Sequence, residues 1–490
     1  MTMRVRVAAL VLGLLGAVPS AAAEKPQALR FGRFGTLHVY PGAQPAQRVI
    51  LLVSGDNGWD ARMTEMARAM GTTGAWVVGV DILAYLRDAA AARDACTYSA
   101  ADFEALSKFV QRKLKFPRYL TPALAGYSSG ATLVYAVLAE GPANTFQGAV
   151  SLGFCPDLDL KKPLCKGSGL AWTGAGMNRV FQPATHLRQS WVALSGGGDK
   201  ACPLKTAKAF ADKVPRGSLV ELPKVGHGFR VSAEWLPAFR DAFEKLYEAP
   251  PPVVPLVLAP PPDAEAGATG ADAPVDDPGG DRDLPLVEVP ASGEGAARLA
   301  DAVAVIVSGD GGWAGIDREI GEAIAAQGIP VVGLNSLKYF WTARTPDEAA
   351  GDVEWLIRHY LHAWGRRHVL LVGYSLGADV MPFLFNRLAD DVKARTVLIG
   401  LLGLSRSVSF EFHVSDWVGG GADDEKPVVP EAARMRGHRV LCLYGSDEDD
   451  SACRDLPPGL AKVVEVKGGH HFGGDYEALA RRILVEAAAP

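Results

Sequence analysis

Two short segments of this chain have the residue types for nucleophilic chemistry. Gly126-Tyr127-Ser128-Ser129-Gly130 and Gly373-Tyr374-Ser375-Leu376-Gly377 share the pattern G-x-S-x-G. Each follows an apolar run (residues 120–125 and 368–372) and opens a helical one (131–140 and 378–388). Strand, strained turn and helix lift a serine Oγ above an α/β sheet, with glycines where a Cβ would clash. A serine hydroxyl is a weak nucleophile. It needs a base, an acid to orient the base, and donors for the oxyanion.

The remaining parts follow in the order expected of an α/β-hydrolase, serine then acid then histidine. The second half offers Ser375, an acid among residues 447–450, and His470. Counting three residues from the strand-ending Gly445 points to Glu448, with Asp450 as the alternative. Gly226-His227-Gly228-Phe229 aligns on Gly469-His470-His471-Phe472, which favours His470 over His471. Oxyanion donors are expected from the backbone N–H of Leu376 and from the Asp310-Gly311 turn. The first half supplies a second complete set, Ser128, Asp199 and His227, with donors from Ser129 and the Asp56-Asn57 turn.

These parts belong to a repeat. Val53-Ser54-Gly55-Asp56-Asn57-Gly58-Trp59 and Val307-Ser308-Gly309-Asp310-Gly311-Gly312-Trp313 each close an apolar run. Matching points lie 254, 247 and 243 residues apart, a period that means tandem domains rather than a solenoid. Each half alternates strand-like and helical runs, which implies a mostly parallel, doubly wound sheet with helices on both faces. The expected fold is therefore α/β: two tandem α/β-hydrolase-like domains, residues 24–247 and 291–490.

Residues 1–23 read as a signal peptide. Arg4 and Arg6 precede a 12-residue apolar core at 7–18, and Ala21-Ala22-Ala23 forms an A-x-A cleavage site. Residues 248–290 read as a disordered linker, with 11 of the 33 prolines, nine acidic side chains and one basic one. The formal charge of −5 then leaves the two folded halves close to neutral, which argues against nucleic acid as a partner. Six cysteines in an exported chain favour disulfides, and the preferred pairing is Cys155–Cys165, Cys442–Cys453 and Cys96–Cys202. Metal-ligand spacing is absent, and no cofactor is expected.

The second half resembles the bacterial virulence family VirJ/AcvB, and the whole chain is similar to the longer AcvB-type member. The resemblance rests on Ser308-Gly-Asp-Gly-Gly-Trp313, Ser336-Leu-Lys-Tyr-Phe-Trp341, Arg344-Thr-Pro346, Gly373-Tyr-Ser-Leu-Gly-Ala-Asp379, Phe410-Glu-Phe-His413 and Gly469-His-His-Phe472. It implies a periplasmic hydrolase of lysyl-phosphatidylglycerol at the membrane surface, linked to virulence and type IV secretion. On this match Ser375 is the family's elbow serine and His470 its histidine. A cationic head group should seek carboxylates, and Asp447, Asp449, Asp450, Asp423 and Asp424 lie in turns near the expected site, with Trp313 as a further substrate contact. The aromatics Phe410, Phe412 and Trp417 occupy the stretch where hydrolases often insert a cap. Two other readings stand beside this one: a periplasmic adaptor for secretion substrates that uses the fold as scaffold, and a generic esterase for small soluble esters.

Overall fold

The computed structural model describes residues 26–92, 95–142, 145–167, 169–185, 187–247, 275–276, 278–280, 282–293, 299–313, 315–412 and 425–489. The signal-peptide stretch, most of the Pro-rich stretch, His413, Trp417, Asp423 and Asp424 lie outside these residues.

Each half is built on its own sheet. In the first, the strands are β1 (Gln27–Phe31), β2 (Gly35–Tyr40), β3 (Val49–Val53), β4 (Trp76–Val80), β5 (Ala123–Tyr127), β6 (Gly148–Leu152), β7 (Ser190–Gly196) and β8 (Gly217–Leu222). Their order across the sheet is β1-β2-β4-β3-β5-β6-β7-β8. Pairings β1–β2 and β2–β4 are antiparallel and the rest parallel.

The second sheet comprises β9 (Leu286–Val289), β10 (Ala302–Val307), β11 (Val331–Leu334), β12 (His368–Tyr374), β13 (Thr396–Leu402), β14 (Val440–Gly445) and β15 (Lys462–Val466), in the order β9-β11-β10-β12-β13-β14-β15. Only β9 is antiparallel to its neighbour. The interior strands read as unbroken apolar runs because helices cover both faces: Val303, Val305 and Val307 enter one core cluster, and Ala302, Ala304 and Ile306 the other. The two sheets carry the α/β-hydrolase architecture twice.

Two sequence expectations need correction. Leu286–Val289, inside the stretch read as linker, forms the edge strand β9, and Val275 is buried against the second core. Proline at 285 and 290 masked a four-residue strand that an edge position tolerates. The disulfides are Cys96–Cys165, Cys155–Cys202 and Cys442–Cys453, so only the last pairing matches. Cys155 and Cys202 follow the ends of β6 and β7, which are parallel neighbours, and the strands bring them together across 47 residues. The isolated parallel bridge between Thr97 and Leu164 brings their chain neighbours Cys96 and Cys165 within reach of each other.

Candidate active site

Ser375 follows β12 and precedes the helix Leu376–Arg387 at φ 51°, ψ −121°, a conformation rarely adopted by a residue with a side chain. Ser128 repeats it at φ 55°, ψ −123°. The flanking glycine at 377 is obligatory. A Cβ there would lie 1.9 Å from Val307 O at the end of β10, so the helix can approach the sheet only without one.

The acid and the histidine follow the ends of β14 and β15, which β13 separates from the elbow strand. Glu448 lies three residues beyond β14. Its Oε2 accepts from Gly445 N at 2.6 Å, and its Oε1 is 2.5 Å from His470 Nδ1. Asp450 is exposed and makes no such contact. Gly403, at φ +67° beyond β13, leaves room for the imidazole, since a Cβ would sit 2.7 Å from His470 Cε1. The Tyr374 hydroxyl donates to His470 O at 3.3 Å and lies 3.2 Å from His471 Nδ1, which fixes the loop. His471 is drawn to a lower pKa by burial and by the adjacent His470.

Among the described residues the Ser375 hydroxyl has no hydrogen-bond partner. Such contacts often close only when substrate binds. In the first half the chain is already continuous. Ser128 Oγ is 3.0 Å from His227 Nε2, and His227 Nδ1 is 2.8 Å from Asp199 Oδ2. Asp199 Oδ1 is held by the backbone N–H groups of Ala201 and Cys202. Asp56 also touches this serine: its carboxylate accepts from Ser128 Oγ at 2.9 Å and from Ser129 Oγ. The hydroxyl proton of Ser128 therefore has two acceptors to choose between.

A cavity of about 260 Å³ opens beside Ser375 and Leu376. Asp310 lies on its wall, at the end of a turn that Asp317 holds by accepting from Gly309 N at 3.2 Å. Among the described residues every titratable side chain lining the cavity carries a carboxyl group: Asp310, Asp379, Glu411 and Glu425. The sequence marks Asp310 as an oxyanion element, holds Asp379 and Glu411 inside the family motifs with no assigned role, and does not mark Glu425. The proposed head-group residue Asp447 is exposed, bonded to Ser446 Oγ at 3.0 Å, and lies outside the cavity lining, as do Asp449 and Asp450. Gly311 is half-buried and also outside the lining. Trp313 is a correction. It is 2% exposed, and its ring fills the space over Gly333, where a Cβ would meet it at 2.1 Å. That ring is core packing, not a substrate contact. Phe410 is likewise buried, edge-on to Phe340 and Phe383. A larger cavity of about 470 Å³, lined by Leu138, Arg188 and Arg318 among others, contains no residue of either serine set.

Asp379 lies one helical turn beyond Ser375, 6% exposed, and its Oδ1 accepts from Ser405 N at 2.6 Å. Burial pushes its carboxyl up to about 8, the Ser405 hydrogen bond opposing. An unfolded aspartate titrates near ~4. Between those values the folded state keeps a proton that the unfolded chain has lost, so this contribution is full below about pH 4 and is lost as pH rises to about 8. The slope for one retained proton is about 1.4 kcal/mol per pH unit. Asp379→Asn cannot ionise. Urea unfolding at pH 5 and pH 7.5 should show wild type losing stability relative to this variant, and a constant difference between the two proteins would rule out the buried proton.

The profile described as "Bacterial virulence protein (VirJ)" matches residues 47–154 and 301–489, more than half of the chain and both halves of the duplication. The chain belongs to the VirJ family. No curated protein matches it in sequence. Among solved structures, an α/β serine hydrolase without lid from Xanthomonas campestris is 21% identical, with TM-score 0.32, covering 46% of this chain and 97% of its own. The esterase domain of a Rhodothermus marinus protein is 16% identical, TM-score 0.32, covering 45% and 97%. Est1E from Butyrivibrio proteoclasticus is 13% identical, TM-score 0.31, covering 46% and 99%. Each spans roughly the length of one half. Among the described residues of this VirJ family member, no helix is long and apolar enough to cross a membrane, and no cluster of side chains has metal-binding form.

Proposed function

We propose that this VirJ family member is a periplasmic serine hydrolase that cleaves the aminoacyl ester of lysyl-phosphatidylglycerol. The observation that carries the reading is the Ser375 cavity: a strained elbow serine, a histidine–carboxylate pair on the adjoining loops, and walls whose titratable side chains, among the described residues, are all carboxyls. An ester bearing a lysyl ammonium group matches that field, and an anionic acyl group does not.

In the proposed reaction His470 Nε2 takes the Ser375 proton as Oγ forms a bond to the lysyl carbonyl carbon. The oxyanion faces the N–H of Leu376 and the turn before Asp310. The ester C–O bond breaks, His470 protonates the departing glycerol oxygen, and phosphatidylglycerol leaves. Water, deprotonated by His470, then cleaves the lysyl-serine ester and frees lysine. Glu448 holds the imidazole tautomer and stabilises its cation throughout.

Purified protein given lysyl-phosphatidylglycerol in detergent micelles should release lysine and phosphatidylglycerol, and should turn over an uncharged amino acid ester more slowly. Equal rates on a cationic and an anionic acyl ester would remove the basis for the substrate. A second reading concerns the first half. Its continuous Asp199–His227–Ser128 chain favours a second hydrolytic serine. The adaptor and generic-esterase readings gain no comparable observation.

A further inference from the structure

The first half reaches into the second at one point that matters for the site. The helix Ser99–Lys113 carries Arg112. Its guanidinium donates to Trp341 O at 2.6 Å, to Phe412 O at 3.0 Å through Nε, and to Glu411 Oε1 at 2.7 Å. It also lies 4.9 Å from the centre of the Trp341 ring. Glu411 and Phe412 form part of the wall of the Ser375 cavity.

Other contacts lock the same corner. Trp341 Nε1 donates to Phe116 O of the first half at 2.9 Å, and Tyr119 joins Leu337, Trp341 and Phe412 in a small buried cluster. Trp341 and Phe412 stack at 5.6 Å. An arginine suits this place because its planar fork serves two carbonyls and a carboxylate at once, which a lysine ammonium on a flexible stem cannot do. The carbonyls of Trp341 and Phe412 end on a side chain supplied more than 200 residues away.

We propose that Arg112 is a positioning residue for the Ser375 cavity: the first half sets the cavity wall, with Arg112 fixing where the Glu411 carboxylate and the Phe412 ring stand. It thereby tunes recognition of a cationic acyl group. The proposal rests on the Ser375 reading given above. It makes the duplicated half a working part of the other half's substrate site, whatever Ser128 does.

The test uses the full chain, with lysyl-phosphatidylglycerol in micelles and p-nitrophenyl acetate as probes. With the Glu411 carboxylate and the Phe412 ring no longer held in place, Arg112→Ala should raise KM for the lysyl lipid about tenfold, with a smaller change in kcat. Arg112→Lys should fall between Arg112→Ala and wild type, and it carries the comparison if the alanine variant does not fold. Arg188→Ala is the control, since Arg188 pairs with Glu322 across the two halves at 3.0 Å but lies away from this cavity. Wild-type KM in a folded Arg112 variant overturns the proposal. So does an equal rise in Arg188→Ala, which would mean general loosening between the halves. Failure of the underlying reading is seen separately: turnover retained in Ser375→Ala refutes the nucleophile, whereas a dead Ser375→Ala beside a wild-type Arg112 KM refutes only the positioning role.

Discussion

Ser375→Ala should lower kcat on lysyl-phosphatidylglycerol by about five to six orders of magnitude, the loss typical when the nucleophile of a serine triad is removed. The fold should survive, because the substitution deletes one hydroxyl with no hydrogen-bond partner among the described residues. Alanine also accepts the φ 51° turn no worse than serine does, so melting temperature should change little. The measurement is lysine release by the purified variant beside Ser128→Ala and the double variant. Residual turnover above a few per cent in Ser375→Ala, abolished in the double variant, would move the main chemistry to Ser128. Such an outcome has a structural basis, since the Ser128 chain is already closed at 3.0 and 2.8 Å.

The next largest effect should come from Glu448→Gln. A triad carboxylate fixes which imidazole nitrogen carries the proton and stabilises the cation formed in the transition state, and its loss costs about four orders of magnitude in kcat. Glutamine keeps the size and the acceptor for Gly445 N, but its amide nitrogen can face His470 Nδ1 and reverse the tautomer. The collapse should extend to p-nitrophenyl acetate, because the base serves every ester alike. Asp450→Asn should leave that neutral ester untouched, since Asp450 is exposed and away from the imidazole. If Asp450→Asn abolished turnover of the neutral ester while Glu448→Gln spared it, Asp450 would be the acid in the working enzyme.

Local rules made much of this legible in the chain itself. Both elbows, both histidine loops and the acid three residues beyond the strand-ending glycine depend on short-range geometry, which is why counting from Gly196 and Gly445 reaches Asp199 and Glu448. What depended on distant neighbours was not legible. Cys155 meets Cys202 because β6 and β7 are adjacent, a fact of sheet order and not of spacing. Trp313 stands in a motif beside the oxyanion turn, yet Gly321 and Gly333 on other elements open the space that buries it. The acidic lining draws Asp379 from a helix and Glu411 and Glu425 from the two ends of the connection between Val408 and Lys426, so no run of charge announced it. The acidic turn that did stand out, residues 447–450, contributes one carboxylate to the histidine and none to the cavity lining.

The disulfides bear on when the chemistry becomes available. Glu448 lies inside the span closed by Cys442–Cys453, whose separation is 11 residues. Asp199 leans on the backbone N–H of Cys202, which is bonded to Cys155. In both halves, by different connections, the carboxylate that orients the histidine is tethered to a covalent cross-link. Closing a loop of this length restricts the unfolded chain by about 3 kcal/mol, concentrated on the segment whose placement the imidazole depends on. Thiols stay reduced in a bacterial cytosol and oxidise beyond it. On the proposed reading, the nascent chain carries its serines and histidines past the inner leaflet with both acid turns unlatched, and arming coincides with arrival.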